Sequence, residues 1–162
     1  MNKIFIVMGV SGTGKTTVAE LLAQKVDLPC FDADDFHSEA NKIKMKNGIP
    51  LTDEDRVGWL ENLNRMLIAE SKNKGAVLAC SALKERYRQK LIQNLVAEIE
   101  WVVLRGDFDL IYDRMQKRKN HYMPVSLLKS QFESMEYPQY GMHISIDQSP
   151  QDIVSHIIEE NH

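Results

Sequence analysis

The chain has 162 residues, a formal net charge of −3 at pH 7 and two cysteines. This length suits one domain with its own hydrophobic core, so we expect residues 1–162 to form a single domain. The slightly acidic balance gives no general attraction to nucleic acid or to an anionic membrane surface, and we expect neither as a partner. No apolar segment approaches the length of a membrane span and the first residues do not resemble a signal peptide, which favours a cytoplasmic location.

The hydrophobic pattern alternates between strand and helix along the chain. Short apolar runs predict strands at residues 4–8, 30–32, 76–80, 101–104 and 143–146. Apolar residues at helical spacing predict helices at residues 14–26, 39–46, 53–71, 84–95, 108–117, 125–135 and 151–159. Start signals support three of these helices: a capping box from Thr52 to Asp55, a cap at Asp107 and Pro150 in a first turn. Such alternation is typical of an α/β fold with a mainly parallel sheet covered on both faces.

The first predicted strand leads directly into residues 9–16, GVSGTGKT, which match the pattern G-x-x-x-x-G-K-[ST]. Glycines let the backbone wrap around a phosphate with its N–H groups pointing inward, and the following helix adds its positive N-terminal end. Lys15 supplies a positive charge for the outer phosphates, and the Thr16 hydroxyl is a ligand that suits Mg²⁺. The alternative is a chance match in a glycine-rich turn, but the strand before the motif and the helical pattern after it favour a phosphate cradle.

The second predicted strand ends in a group of carboxylates, within the segment PCFDADDFH at residues 29–37. Asp32 and Asp34 lie at its carboxyl end, which is the edge where open α/β sheets bind ligands and where the phosphate cradle lies. One carboxylate would orient Mg²⁺, directly or through water, and the other would accept a proton from an attacking hydroxyl. Alternatively, Asp34 or Asp35 only caps the next helix. We expect Asp34 and His37 to face a substrate.

Three groups of cations allow both a binding role and a surface role. Arg56 lies in a first helical turn, where the helix dipole disfavours a cation, so either a solvated position or an anion site must explain it. Lys84, Arg86 and Arg88 follow the third predicted strand and form either a cationic set near the ligand edge or a solvated helix face. Residues 114–124, RMQKRKNHYMP, form either an exposed helix end or a mobile lid whose arginines meet the phosphates.

Cys30 and Cys80 lie far apart in the sequence, each within or beside an apolar run. Their number and spacing argue against a disulfide or a metal-binding pair. We therefore expect two buried thiols.

Taken in chain order, these motifs resemble those of the small P-loop gluconate kinases, which are related in fold to shikimate kinases and nucleoside monophosphate kinases. Besides GVSGTGKT, the resemblance is carried by D-x-D-x-x-H at residues 32–37, KM-x-x-G-x-P-L-x-D-x-D-R-x-x-W-L at 44–60, CSALK-x-x-Y-R at 80–88, L-x-GDF at 104–108, and SQFE at 130–133 followed by a proline at 138. These motifs extend over nearly the whole chain.

The resemblance implies a fold and a reaction. The fold would be that of the P-loop NTPases, nucleoside monophosphate kinase-like, with a five-stranded parallel sheet, helices on both faces and a lid around residues 117–124. The reaction would be the ATP-dependent phosphorylation of D-gluconate at its terminal hydroxyl, giving 6-phospho-D-gluconate. ATP and Mg²⁺ would be the cofactors, gluconate the small-molecule partner, and the assembly a homodimer.

The resemblance also implies residue roles. The catalytic residues would be Lys15, Asp34 as the base, and Arg118 as a charge clamp in the lid. ATP would be held by Gly9, Val10, Ser11, Gly12, Thr13, Gly14, Lys15, Thr16, Thr17, Arg114 and Arg118, with residues 147–150 beside the adenine. Gluconate would be bound by Asp34, His37, Arg56, Lys84, Arg88 and His121. Mg²⁺ would be held by Thr16 and Asp32.

Other functions remain as alternatives. A related small-molecule kinase, acting on shikimate, a nucleotide or adenylyl sulfate, is the nearest one, although the motifs at residues 53–56 and 80–84 favour gluconate. A regulatory P-loop GTPase would need an N-K-x-D element, and the candidates at residues 41–44 and 73–76 both lack the aspartate. A non-catalytic binding module would not need Lys15, Thr16 and the paired aspartates.

Overall fold

A computed structural model of the chain describes residues 1–117 and 125–161. In these ranges one sheet is formed by β1 (Lys3–Met8), β2 (Cys30–Asp32), β3 (Gly75–Ala79), β4 (Glu98–Arg105) and β5 (Met142–Ser145). The strand order is β2-β3-β1-β4-β5, and every neighbouring pair is parallel. The predicted five-stranded parallel α/β fold is therefore confirmed.

The helices alternate with these strands. They are α1 (Lys15–Val26), α2 (Glu39–Lys46), α3 (Asp53–Asn73), α4 (Glu85–Leu91), α5 (Phe108–Lys117), α6 (Val125–Ser134) and α7 (Pro150–Glu160), and a 3₁₀ helix spans Ala33–Phe36. Every residue of β3, and every residue of β1 after the first, is buried, because helices cover both faces of the central strands. No helix in the described part of the chain is long and apolar enough to cross a membrane.

Two element boundaries differ from the prediction by three or more residues, each for a local reason. Strand β4 begins three residues earlier than expected, because Glu98 and Glu100 pair with β1 although their charges interrupt the apolar pattern. Helix α4 ends at Leu91 instead of residue 95, since Asn94 adopts a left-handed backbone conformation with φ of 62°.

The cysteine prediction is confirmed at one position and wrong at the other. Cys80 is buried, and this burial raises the pKa of its thiol to about 12. Cys30 is exposed, because β2 is the edge strand of the sheet and has a neighbour on one side only.

Since all five strands are parallel, their carboxyl ends lie at one edge of the sheet. The loop after β1, the 3₁₀ helix after β2 and the loop after β3 therefore start side by side.

Candidate active site

A cleft opens at this edge of the sheet. Its walls come from the phosphate loop and the start of α1, the 3₁₀ helix, the segment that joins α2 to α3, the end of β3, and one face of α6. Of the predicted site residues in the described ranges, the cleft is lined by Ser11, Gly12, Gly14, Lys15, Thr16, Thr17, Asp32, Asp34, His37 and Arg56.

The phosphate loop takes its shape from glycine. Gly12 has φ of 82°, and a Cβ at this position would lie 2.8 Å from Ile111 of α5, too close for any larger residue. Gly14 has φ of 88° and occupies the N-cap of α1, where no side chain caps the helix. The first-turn N–H groups of α1 thus have no intrahelical acceptor and no side-chain cap, which suits a phosphate.

Two side chains of the loop donate to its own backbone. The Thr13 hydroxyl donates to the Val10 carbonyl at 2.9 Å, and Lys15 Nζ donates to the same carbonyl at 3.1 Å. These bonds hold Lys15 against the loop, with its charge at the cleft where the motif predicts the outer phosphates.

The two predicted metal-binding residues lie side by side. The Thr16 hydroxyl donates to Asp32 Oδ2 at 2.9 Å, and the other carboxylate oxygen of Asp32 accepts the Asp34 N–H at 2.9 Å. Asp32, and neither Asp34 nor Asp35, therefore caps the 3₁₀ helix, while Ser38 caps α2. Asp34 lines the cleft beside Asp32.

A hydroxyl and a carboxylate are ligands that Mg²⁺ accepts, so Thr16 and Asp32 fit a magnesium ion that is bound mainly by phosphates and water. Among residues 1–117 and 125–161, no cluster of three or more His, Cys, Asp or Glu side chains is arranged to hold a metal by itself.

The His37 ring forms part of the cleft wall. It stacks on Trp59 with the ring centroids 4.2 Å apart and the planes at 13°. Asn41 Nδ2 lies 3.2 Å from His37 Nδ1 and also donates to the Asp55 carbonyl at 2.7 Å. The Asp55 carbonyl only accepts, so the Asn41 atom bonded to it is the amide nitrogen. An amide nitrogen only donates, so His37 Nδ1 accepts the hydrogen bond from Asn41. The neutral ring therefore carries its proton on Nε2.

The neutral form of His37 is strongly favoured. Burial of the ring first, and then the nearby positive charges of Arg56 and Lys42, lower its pKa from 6.5 to about 4. His37 is thus a neutral hydrogen-bond donor near pH 7.

Arg56 lies in the cleft wall with one nitrogen held by the protein. Its Nη1 donates to the Leu51 carbonyl at 2.6 Å and to the Tyr87 hydroxyl at 3.1 Å, and its guanidinium lies 4.9 Å from the centre of the Tyr87 ring. In the described part of the chain, Nε and Nη2 make no hydrogen bond. These two nitrogens form the side of a guanidinium that binds a carboxylate through two parallel bonds.

The structure does not bring Lys84 or Arg88 into the cleft. Lys84 occupies the N-cap of α4. Arg88 is 1% exposed, because its guanidinium donates to the carbonyls of Ala82 and Glu136, each at 2.6 Å, and to the Glu85 carboxylate at 3.1 Å. Arg88 therefore supports the loop behind the cleft.

The predicted lid lies largely outside the described residues. Arg118 and His121 are both outside them, so their predicted roles stay predictions. Arg114, in the last turn of α5, is half-buried and donates to the Ile146 carbonyl at 2.5 Å, directly before the segment predicted to flank the adenine.

Helix α6 supplies a cleft wall to which the sequence reasoning gave no role. Its Gln131 Oε1 accepts the Ser11 N–H of the phosphate loop at 2.7 Å, and Ser130 and Ser134 line the same cleft. The SQFE motif, together with the helical spacing of residues 127, 130, 131 and 134, was the available signal.

The chain is similar to known kinases over almost its full length. A shikimate kinase family model matches residues 11–161. A probable gluconokinase of Mus musculus is 41% identical in an alignment that covers 96% of each chain. A thermosensitive gluconokinase of Escherichia coli is 45% identical over 136 residues, 83% of this chain and 72% of the relative.

A solved structure agrees with these relatives. The crystal structure of a gluconokinase from Sinorhizobium meliloti superposes with a TM-score of 0.85 at 33% identity and covers 99% of this chain and 98% of its own. With a family model that matches nearly the whole chain and gluconokinase relatives that align over more than four-fifths of it, the chain belongs to the gluconokinases within the shikimate kinase family of P-loop kinases.

Proposed function

We propose that this chain transfers the terminal phosphoryl group of ATP to the terminal hydroxyl of D-gluconate, giving ADP and 6-phospho-D-gluconate. One observation carries the proposal: the same cleft is lined by the phosphate loop and by Arg56, whose Nε and Nη2 make no hydrogen bond in the described part of the chain. The names of the relatives above support gluconate as the acceptor.

The nucleotide would be held by residues 9–17. Their backbone N–H groups and the N-terminus of α1 face the phosphates, and the charge of Lys15 stabilises the negative charge that moves onto the bridging oxygen during transfer. Thr16 and Asp32 would hold Mg²⁺, which, when bound, neutralises phosphate charge. Arg114 donates to the Ile146 carbonyl, and through this bond it would position the following segment beside the nucleotide.

The acceptor would lie between the carboxylates and the first turn of α3. Asp34 would accept the proton of the attacking hydroxyl, since it lines the cleft next to Asp32 and the phosphate loop. His37 would donate from Nε2 to a hydroxyl of the sugar acid. Arg56 would bind the carboxylate through Nε and Nη2.

Four further predictions belong to this proposal. Arg118 and His121 would complete the site from the lid, and Lys84 would act on the acceptor only if it moved toward the cleft. The enzyme would work in the cytoplasm, as a homodimer.

The test is ATP consumption in the presence of Mg²⁺ against gluconate, other sugar acids, sorbitol, shikimate and nucleoside monophosphates. We expect stoichiometric ADP and 6-phosphogluconate with gluconate, little turnover with sorbitol, and loss of activity when EDTA removes the metal. No ADP formation with gluconate above the blank would overturn the proposal, and preferential turnover of shikimate or a nucleotide would replace it.

A further inference from the structure

We infer that Tyr87 and Asp53 form a relay behind the cleft that orients Arg56 for the carboxylate of the acceptor. The Arg56 Nη1 atom donates to the Tyr87 hydroxyl at 3.1 Å, and that hydroxyl donates to Asp53 Oδ1 at 2.6 Å. Tyr87 is 4% exposed and lies behind Arg56 instead of lining the cleft. It is therefore a positioning residue, and the inference rests on the proposed role of Arg56.

The direction of each hydrogen bond in the relay is determined by chemistry. An ionised carboxylate only accepts and a guanidinium only donates, so the single proton of the Tyr87 hydroxyl points to Asp53 and its lone pairs face Arg56. The bond from Tyr87 holds the pKa of the Asp53 carboxyl below its usual range, while burial and the bond to Asp53 raise the pKa of Tyr87. Both groups thus keep these protonation states near pH 7.

The second oxygen of Asp53 is also engaged. Arg86 Nη2 lies 2.6 Å from Asp53 Oδ2. With its two oxygens divided between Tyr87 and Arg86, the Asp53 carboxylate cannot turn toward Arg56 without breaking one of these contacts.

The hydroxyl placed between Arg56 and Asp53 has a consequence for substrate binding. A carboxylate bound directly to the guanidinium would occupy the fork and compete with the substrate carboxylate. The Tyr87 hydroxyl and the Leu51 carbonyl use only Nη1, and the Tyr87 ring supports the guanidinium plane at 4.9 Å. The side chain is therefore oriented while Nε and Nη2 stay available, which reduces the conformational entropy lost on binding.

The main test replaces Tyr87 by phenylalanine, which keeps the ring and removes the hydroxyl. We expect Tyr87→Phe to lower kcat/KM for gluconate about five- to tenfold, mainly through a higher KM, because the hydrogen bond that the Tyr87 hydroxyl accepts from Arg56 is lost while the direct contacts of Arg56 with the substrate remain. The KM for ATP and the weak turnover of sorbitol, which has no carboxylate, should not change.

The chain offers a matched control for this substitution. The Tyr140 hydroxyl donates to the Glu85 carboxylate at 2.6 Å, the same type and length of bond as in the relay but away from the cleft. Tyr140→Phe should therefore leave the KM for gluconate unchanged. An equal loss in both variants, or an equal loss on gluconate and sorbitol, would overturn the inference.

A second variant keeps the test decisive if Tyr87→Phe does not fold. Asp53 is exposed in the first turn of α3, where Asp53→Asn weakens the acceptor of the relay. Glu54→Gln removes the same charge from the same helical turn and serves as its control. We expect a higher KM for gluconate with Asp53→Asn only. Equal values in these two variants would refute the relay.

A measurement without substrate separates the relay from the proposed function. In a ¹⁵N-edited NMR spectrum, the Arg56 Nε–H signal should broaden or exchange faster with water in Tyr87→Phe than in wild type or Tyr140→Phe. If this signal does not change, the relay is refuted even when gluconate is the substrate. If it changes while wild type makes no ADP with gluconate, the relay holds and the proposed acceptor is wrong.

Discussion

The buried state of His37 predicts that the folded protein loses stability as the pH falls from 7 to 5. Burial first, and then the charges of Arg56 and Lys42, lower the pKa of His37 in the folded chain to about 4, whereas the unfolded chain binds this proton near pH 6.5. Between these two values the unfolded state holds one more proton than the folded state. The free energy of unfolding therefore decreases as the pH decreases through this window, and the stabilisation is fully present only above about pH 6.5.

The size of the effect follows from the same two pKa values and from the ring stacked on His37. Integrated from pH 7 to pH 5, the difference in proton binding is worth about 2 kcal/mol. A cation–π interaction of about 0.5 to 1 kcal/mol between the imidazolium and the stacked Trp59 face would reduce this loss by at most about 0.2 kcal/mol, because the folded chain stays mostly unprotonated at pH 5. We therefore expect His37 to contribute a loss of about 1.5 to 2 kcal/mol between these two pH values.

The measurement is urea denaturation, followed by circular dichroism at pH 7 and pH 5, for wild type and His37→Gln. Glutamine does not titrate in this range, so the variant should lose less unfolding free energy than wild type between the two pH values. His156→Gln, at an exposed position of α7, controls for the removal of a histidine. Identical pH dependence in wild type and His37→Gln would refute the argument that His37 is held neutral by its surroundings.

Three further substitutions test the proposed chemistry. Lys15→Ala should fold normally but lose about 10²- to 10³-fold in turnover, and near wild-type turnover would show that residues 9–16 are not the catalytic cradle. Asp34→Asn should lower kcat while the Kd for ATP, measured by calorimetry, stays constant. A large loss of nucleotide affinity with little change in kcat would assign Asp34 to the metal instead. Arg56→Lys should lower kcat/KM for gluconate by about ten- to a hundredfold and leave sorbitol unaffected, because a charge-assisted bidentate contact is worth roughly 1.5 to 3 kcal/mol. Unchanged gluconate kinetics in Arg56→Lys would place the carboxylate elsewhere.

The part of the site that could be predicted from sequence depends on local rules. The phosphate loop follows from glycine spacing between a strand and a helix, and the structure has those glycines at positive φ. The position of Asp32 and Asp34 follows from another local rule, because the end of a short apolar run in a parallel sheet lies at the ligand edge. The pairing of the Thr16 hydroxyl with Asp32 was predictable for this reason.

The parts that could not be predicted depend on contacts between distant segments. Arg56 and Arg88 both lie in helices rich in charge, yet only Arg56 reaches the cleft. The Arg88 guanidinium instead donates to the carbonyl of Glu136, a residue 48 positions later in the chain. The exposure of Cys30 also depends on strand order. A short strand is expected to be buried, and only the strand order shows that β2 lies at the edge of the sheet.

Helix α6 connects the two halves of the site in a way that only the tertiary structure reveals. At its middle, Gln131 accepts an N–H of the phosphate loop. Just beyond its end, the Glu136 backbone N–H donates to the Leu83 carbonyl at 2.7 Å, and the Glu136 carboxylate accepts the Glu85 N–H at 2.9 Å. The same helix therefore contacts the loop that would hold the nucleotide and the loop behind the proposed acceptor site. Ser11 and Gln131 both line the cleft, and a phosphate that binds the Ser11 N–H must displace the Gln131 side chain from it. Any resulting shift of α6 would be transmitted to residues 83–85.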